Sequence, residues 1–348
     1  MNPADLAAGI DPAKERINLC PPADEPGFGE NHAFWIHDED KGIQIIGHLN
    51  TSEDIGDYRQ RLAKLSVSFP DGRLYQLREI GDGCSADEAG SGNLRFACIE
   101  PFRRWSCHYA GAMDDVTVVH NYRTGNVLDL PRVAIRFDVE TQMVAPAWLQ
   151  GSMVEGGLGL AAAYIGGERY EQLFRASGKL TVGGTEYAIS GYGNRTHRYG
   201  TRDLSASAKV PPMLGHVWGA AVFPDGTGFG LQVFPNRDGT IFWGEAYVLQ
   251  GGVQLPARII AAPWLRHYHR SGERIEIILE THQGERFEIS GETIASVLSL
   301  MIPAPVRGEQ VPLLQSHVRY RMRGQTADNM LERSLRRSAI ETGIGRPA

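Results

Sequence analysis

The chain has 348 residues, a net charge of −6 at pH 7 and a sequence pI near 6.0. This length accommodates two domains of ordinary size, and the acidic balance argues against a nucleic-acid-binding protein, which usually carries a basic stripe. The first twenty residues contain no basic start followed by an apolar core, and no apolar run approaches the length that spans a bilayer. We therefore expect a cytoplasmic protein without a membrane span.

The first half of the chain is typical of successive short strands. Apolar and polar residues alternate over positions 63–69, as in a half-buried strand. This strand ends at Pro70-Asp71-Gly72, a turn in which proline presets one φ and glycine accepts a positive one. A softer stretch rich in Ala, Gly and Met follows over 143–166. We place a domain boundary near residue 165, with a short linker helix, which divides the chain into residues 1–165 and 166–348.

The second half repeats this pattern. Phe223-Pro224-Asp225-Gly226 copies Phe69-Pro70-Asp71-Gly72, which fits two similar β domains. Forty-one glycines and few long helical periods indicate an all-β protein with many turns. Regular short strands with such turns favour sandwiches or antiparallel barrels. In the tail, the spacing of Met330, Leu331 and Leu335 predicts a C-terminal helix over Thr326–Ile340.

The segment from Gly191 to Asp203 is the richest in chemistry. It follows Gly183-Gly184, a pair suited to a two-residue primed turn between two strand-like runs. One interpretation is a structural clamp in which an arginine pairs with the aspartate. The other is a site grafted onto the end of a strand. The chemically active side chains of this segment are Arg195, His197, Arg202 and Asp203.

The run from Thr240 to Gln250 contains an acid among aromatic residues. By the two-residue period of a strand, Glu245 shares a face with Trp243 and Tyr247. Both faces are largely apolar, so Glu245 is at risk of burial, which raises the pKa of a carboxyl group and makes it a good general acid. The alternative is a glutamate on a solvated outer face that aromatic residues merely flank.

Cofactor signals are weak. His267 and His269, with His282 nearby, invite a metal interpretation, but a third ligand at convincing spacing is missing. No glycine-rich phosphate loop follows a strand and opens a helix. We therefore expect neither a metal nor a nucleotide cofactor.

Three segments together resemble the carotenoid 1,2-hydratase (hydroxyneurosporene synthase) superfamily. The pattern Gly-x-Gly-x-Arg-x-His-x-x-Gly-x-Arg-Asp, which begins at Gly191, is similar to the signature of that group. Ile99–Trp105, followed by Tyr109 and Gly111, looks like an element of its first domain, and Gly29–Trp35 looks like its N-terminal strand. The resemblance implies two lipocalin-like antiparallel β-barrels side by side, a size of barrel that can hold one small ligand.

The resemblance also implies a cofactor-independent lyase or isomerase that acts on a hydrophobic terpenoid or aromatic molecule. Water addition or elimination, ether-ring opening and a double-bond shift all stay open. Such chemistry needs an acid, a base and aromatic faces that stabilise a cation. The candidate acids are Asp203 and Glu245, the candidate base is His197, the groups that hold carboxylate or substrate are Arg195 and Arg202, and the apolar walls are Trp35, Trp218, Trp243 and Tyr247.

A second class of function stays open, namely a non-catalytic carrier of an apolar small molecule. An enzyme should bring at least two titratable groups within reach of one ligand atom, whereas a carrier lumen should be apolar with charges at its mouth. In both cases the expected partner is a hydrophobic small molecule, and a homodimer is an open option for assembly.

Overall fold

The computed structural model describes residues 6–20, 22, 25, 27–51, 57–117, 130–161, 167–201, 214–236, 240–303 and 310–336. Regular structure in these ranges is almost entirely β, which confirms the predicted fold class. The N-terminal part begins with a 3₁₀ helix at Pro12–Glu15. Eleven strands then form one antiparallel sheet: β1 (Phe28–Asp38), β2 (Gln44–Asn50), β3 (Gln60–Ser68), β4 (Leu74–Asp82), β5 (Glu88–Ser91), β6 (Leu94–Glu100), β7 (Arg104–Asp115), β8 (Arg132–Met143), β9 (Trp148–Leu149), β10 (Glu168–Val182) and β11 (Thr185–Thr201).

A short pairing closes most of this sheet into a barrel. The strand order is β4-β3-β2-β1-β11-β10-β8-β7-β6-β5, and β9 adds to β10. Tyr75 and Gln76 of β4 pair with Asp115 and Asp114 of β7. Eight strands therefore form a ring, which we call the first barrel, and the β5–β6 hairpin extends from it.

The remaining strands form a closed antiparallel barrel of eight strands, the second barrel. Its strands follow one another in chain order, and the last pairs with the first. They are β12 (Gly215–Val222), β13 (Gly228–Pro235), β14 (Ile241–Gln250), β15 (Val253–Ala261), β16 (Arg274–Thr281), β17 (Arg286–Pro303), β18 (Gln310–Met322) and β19 (Gln325–Leu335).

The predicted turns are confirmed. Gly183 and Gly184 join β10 to β11 with φ values of 56° and 88°, as a primed two-residue turn requires. Both Phe-Pro-Asp-Gly segments make the same hairpin contacts. The amide of Gly72 donates to the carbonyl of Phe69, as that of Gly226 does to Phe223. The two barrels thus carry matching turns at β3–β4 and β12–β13.

The predicted C-terminal helix is wrong over the part that the structure describes. Gln325–Leu335 forms β19, which pairs along its length with β18 and over five residues with β12. Leu331 and Ala327 face the interior of the second barrel, whereas Met330 packs against the first barrel. A strand buried on both faces loses the alternation of apolar and polar residues, so its sequence imitates a helix. Residues 337–348 lie outside the described residues.

The sheets change over later than the predicted domain boundary. Strands β10 and β11 follow residue 165 in the chain, yet they pair with β8 and β1 of the first barrel. A division by sheet therefore falls between Thr201 and Gly215. The expected linker helix is present as α1 (Gly157–Ala161). Among the described residues, no helix is long and apolar enough to cross a membrane.

The two barrels pack through the outer faces of their walls. Each has an apolar interior of its own. Between them lies a further apolar cluster that joins Trp35 of β1 to Trp218 of β12. A second cluster of this interface joins Trp148 and Leu173 to Tyr247. The interface is therefore a third buried region, distinct from either interior.

Candidate functional sites inside the first barrel and between the barrels

Strands β10 and β11 carry polar side chains on both faces. Because side chains alternate along a strand, Tyr170 and Gln172 face the interior of the first barrel, whereas Glu171 faces the second barrel. Two buried polar clusters result. We call them the inner cluster (Glu15, Glu30, His32, Arg61, Tyr170, Gln172, Arg195 and His197) and the interface cluster (Gln150, Arg169, Glu171, Asn194, Trp218, Glu245 and Glu332).

Arg195 of the inner cluster holds the N-terminal segment in place. Its Nη2 lies 2.8 Å and 2.9 Å from the two carboxylate oxygens of Glu15, the last residue of the 3₁₀ helix. Glu15 also accepts hydrogen bonds from the indole of Trp105 at 2.9 Å and from the hydroxyl of Tyr170. Burial raises the pKa of Glu15, but the charge of Arg195 and the hydrogen bonds from Tyr170 and Arg195 lower this pKa to about 2. Arg195 and Glu15 therefore form a buried ion pair.

His197 links this ion pair to a second carboxylate. Its Nδ1 lies 2.8 Å from the Tyr170 hydroxyl, and its Nε2 lies 2.9 Å from Oε1 of Glu30. Glu30 in turn accepts a hydrogen bond of 2.8 Å from Arg61. Burial raises the pKa of Glu30, but the hydrogen bond from His197 and the nearby ring of His32 hold this pKa well below its usual range. All these side chains are buried, so the network pairs opposite charges inside the first barrel.

The inner cluster also has the composition of a metal site. Glu30, His32 and His197 each place one ligand atom within 4.8 Å of the others. The rings of His32 and His197 are stacked at 4.0 Å with an interplanar angle of 24°, so their in-plane lone pairs run side by side and do not converge as zinc requires. Arg61 adds a positive charge next to Glu30. The geometry fits a hydrogen-bond network better than a metal centre.

Glu171 is the centre of the interface cluster. Its Oε2 accepts hydrogen bonds from the indole of Trp218 at 2.5 Å and from Asn194 at 3.1 Å. Its Oε1 contacts the amide of Gln150. The residue is only 2% exposed, and burial raises the pKa of Glu171 to about 7 against the opposing effects of Arg169 and these donors. Glu171 is therefore poised to exchange a proton near neutral pH.

Glu245 approaches the same region from the second barrel. Its carboxylate accepts hydrogen bonds from the backbone amides of Gly151 at 2.5 Å and Met153 at 3.3 Å. Burial raises the pKa of Glu245 to about 7, and the charge of Glu171 contributes to the increase. Gln150 and Gly151 are neighbours in the chain, so one segment touches both carboxyl groups. The two acids are therefore electrostatically coupled.

Aromatic rings enclose these carboxyl groups. Trp148 pairs across the strands with Glu171 and packs edge-on against Tyr247 at 5.1 Å. Trp35 packs edge-on against Trp218 at 4.8 Å. The interface cluster thus combines titratable acids with apolar walls, as a site for a hydrophobic molecule should.

A groove of about 730 Å³ opens on the outer face of the first barrel beside the interface. Its lining is mostly polar and includes Arg104, Glu140 and Arg175. Tyr192 lines the groove and also packs in the apolar cluster with Trp148 and Tyr247. The groove therefore shares the side chain of Tyr192 with the apolar cluster that joins the two barrels.

The structure does not bring the sequence-predicted site residues together. Arg195 and His197 lie in the inner cluster, whereas Glu245, Trp35, Trp218 and Tyr247 lie at the interface. Trp243 is buried in another cluster, stacked on Phe234 at 5.2 Å. Asp203 and Arg202 lie outside the described residues, so their roles stay predictions. The clamp interpretation pairs Asp203 with Arg202 or Arg195, and within the described residues the carboxylate partner of Arg195 is Glu15.

Sequence reasoning missed Glu171, Glu15 and the role of Glu30. Glu171 stands between Tyr170 and the apolar run Leu173-Phe174, the same signal that drew attention to Glu245. Glu30 was part of the Gly29–Trp35 segment, but nothing in its sequence indicated a partner. Glu15 lies 180 residues from Arg195, and no local pattern reports a contact over that distance.

A family model described as "Domain of unknown function (DUF7064)" matches residues 13–335. Among curated proteins, no sequence matches this chain. A candidate AttH protein from Nitrosomonas europaea shares the fold with a TM-score of 0.55 and 13% identity, over 88% of this chain and 92% of that chain. Kievitone hydratase from Nectria haematococca is similar with a TM-score of 0.49 and 13% identity, over 92% and 93% of the two chains. CghA with Sch210972 is similar with a TM-score of 0.48 and 10% identity, over 95% and 96%.

Proposed function

The chain belongs to the DUF7064 family, and we propose that it is an enzyme that performs general acid–base chemistry on a hydrophobic small molecule at the interface between its two barrels. The reaction class is that of a hydratase or an isomerase, with water addition, water elimination or a double-bond shift. The resemblance of the Gly191–Asp203 signature to the carotenoid 1,2-hydratase superfamily supports this class.

The observation that carries the proposal is the pair Glu171 and Glu245. Both carboxyl groups are buried, both have a pKa raised to about 7, and the charge of Glu171 contributes to the raised pKa of Glu245. Two such coupled acids share a proton near neutral pH, so one can donate a proton while the other accepts one. A carrier has no use for that arrangement, which favours an enzyme over a binding protein.

In the proposed mechanism the carboxylic acid of Glu171 delivers a proton to carbon, and the carboxylate of Glu245 takes a proton from water or from a neighbouring carbon. The rings of Trp148 and Trp218 exclude water from the reacting carbons. The backbone amides of Gly151 and Met153 orient Glu245.

A deuterium-exchange experiment tests this function. The protein is incubated in D₂O with terpenoids and aromatic dimers that contain a double bond, and carbon-bound deuterium is measured by mass spectrometry. Glu171→Gln and Glu245→Gln should each lower the rate by about a hundredfold or more, the usual scale of a general acid or base. Glu276→Gln, a change of an exposed glutamate on β16, should not. Unchanged rates in both interface variants would refute the assignment.

A further inference from the structure

Arg169 is a mostly buried cation whose side chain is 16% exposed and has one unpaired donor atom. Its guanidinium lies 4.0 Å above the ring of Trp218, and its Nη2 lies 3.8 Å from Oε1 of Glu171. Within the described part of the chain, its Nε is buried and has no hydrogen-bond partner. Buried polar atoms in folded proteins are nearly always paired, so such an exception indicates a place that a ligand or water occupies.

Trp35 supplies a second unpaired donor next to the same ring. Its indole packs edge-on against Trp218 at 4.8 Å. Its Nε1 is also buried without a partner among the described residues. A guanidinium and an indole can only donate hydrogen bonds, so the group that satisfies both must accept them. An oxygen atom with developing negative charge meets this need best.

Glu332 is a second carboxylate whose charge acts on Arg169. Burial raises the pKa of Glu332, but a hydrogen bond from His216 at 3.0 Å and the charge of Arg169 lower this pKa below its usual value. Gln315 donates a further hydrogen bond to Glu332 at 2.8 Å. Glu332 therefore stays ionised and balances the charge of Arg169, which leaves Glu171 free to hold a proton.

We propose that the substrate of this site is an α,β-unsaturated carbonyl compound whose carbonyl oxygen accepts hydrogen bonds from Arg169 and Trp35. The proposal rests on the acid–base function proposed above and specifies its substrate class. The carbonyl oxygen lies beside Trp218, and the conjugated double bond extends toward the two carboxyl groups. Arg169 and Trp35 then act where negative charge develops, which is where preorganised donors help most.

The corresponding reaction is the addition of water to the conjugated double bond. Water attacks the β-carbon and forms a C–O bond while Glu245 takes its proton. The π electrons of the double bond move to the carbonyl oxygen, which becomes an enolate held by Arg169 and Trp35. Glu171 then gives its proton to the α-carbon and the C=O bond forms again. The net change is addition of H₂O, and Glu171 regains the proton that Glu245 acquired.

Binding of chalcone and of trans-stilbene to the purified full chain tests the proposal. These probes have the same two phenyl rings, and only chalcone has the carbonyl group. Binding is measured by calorimetry, and the absorbance of bound chalcone is recorded because hydrogen bonding to the carbonyl shifts it to longer wavelength. The expected result is that chalcone binds at least about tenfold more tightly than stilbene, the effect of a charged hydrogen bond, and shows the red shift.

Arg169→Gln and Trp35→Phe should reduce this preference and the red shift, without loss of stilbene binding. Arg319→Gln is the matched control, because this arginine of β18 also lies at the interface but pairs with Asp328. Stilbene binding in the variants shows that they fold.

Equal binding of the two probes, or a preference that survives Arg169→Gln, would overturn the carbonyl assignment and leave the acid–base function standing. Absence of binding by both probes would overturn the substrate class. Glu171→Gln separates the two proposals, because it should abolish turnover while chalcone still binds with its red shift. A failure of the acid–base function would instead leave deuterium exchange unchanged in that variant.

Discussion

The indole Nε1 of Trp218 donates a hydrogen bond of 2.5 Å to Oε2 of Glu171, across the interface between the two barrels. Trp218 belongs to β12 of the second barrel, and Glu171 belongs to β10 of the first. Neither barrel alone contains the pair. The protonation of Glu171 therefore depends on how the two barrels are packed.

Removal of that donor should shift the pH dependence of activity. A hydrogen bond from Trp218 lowers the pKa of Glu171, so Trp218→Phe should raise this pKa above its value of about 7. Activity that needs the protonated acid falls as the pH rises through the pKa, and in Trp218→Phe that fall should move to higher pH. The pH–rate profile of the variant measures the shift, and Trp264→Phe is the control, because Trp264 packs against the interior of the second barrel. A profile that moves to lower pH would contradict the role given to Glu171.

The two raised pKa values should also appear in the stability of the protein. Between pH 4.5 and about 7 the folded state keeps protons on Glu171 and Glu245 that the unfolded state has lost. Stability should therefore decrease as the pH rises through this range and level off above it. A shift of this size corresponds to about 3 kcal/mol for one group taken alone, at about 1.4 kcal/mol per pKa unit.

Glu171→Gln and Glu245→Gln carry no ionisable group at these positions, so each should flatten part of that decrease. Chemical denaturation at pH 5 and pH 8 measures the effect. A variant that loses as much stability as the parent chain between these two pH values would show that the carboxyl group is not buried and neutral.

The Glu15–Arg195 pair should be structural. Glu15→Gln leaves a buried arginine without its counter-ion and should cost about 3–5 kcal/mol. Because the pKa of Glu15 is lowered to about 2, its contribution is complete above pH 4.5 and is lost as the pH falls toward 2. A double-mutant cycle with Arg195→Gln should show strong coupling, since the second change removes the unpaired charge. Additive losses in the cycle would argue against the pair.

Asp203 stays a candidate from the sequence signature. Asp203→Asn should cut turnover by about a hundredfold with little change in melting temperature if this residue takes part in proton transfer. His197→Gln should instead lower the melting temperature, because His197 joins Tyr170 to Glu30 inside the first barrel. Full activity together with normal melting in both variants would remove the signature from the site.

Activity should survive chelators and need no added nucleotide. The motivation is the parallel stacking of His32 and His197, which does not converge on one ion. The measurement is turnover before and after dialysis against a strong chelator. Loss of activity that zinc restores would show that Glu30, His32 and His197 rearrange around a metal.

Short sequence patterns predicted the fold well, because a turn or an alternation of apolar and polar residues needs only a few neighbouring residues. Gly183-Gly184 adopts the expected positive φ values, and the strand predicted over 63–69 is β3 together with its turn. The helix predicted over Thr326–Ile340 failed because β19 is buried on both faces, which removes the two-residue period. The two-residue pattern therefore identifies a strand only when one of its faces is buried and the other is exposed.

The candidate site was predicted in part, and the limit has a physical cause. Glu245 and its aromatic neighbours were recognised, since burial of an acid can be inferred from one strand. The pairing of Glu245 with Glu171 could not be predicted, because their proximity arises from the packing of one barrel on the other. The sequence also did not indicate which face of β11 carries Arg195 and His197. In the structure both side chains lie on the side of Tyr170 and away from Glu171.

The pairing of β1 with β11 constrains the order in which the chain can fold during synthesis. The ring of the first barrel stays open between these strands until Thr201 has been made. At the usual speed of a ribosome, the 180 residues between Glu15 and Arg195 take roughly 9 to 36 s to appear. During that time Phe34 and Ile36 lie on a strand that pairs with β2 on one side and has an open edge on the other, and an open edge is a template for aggregation. The newly made N-terminal half should therefore need protection by a chaperone until β11 arrives.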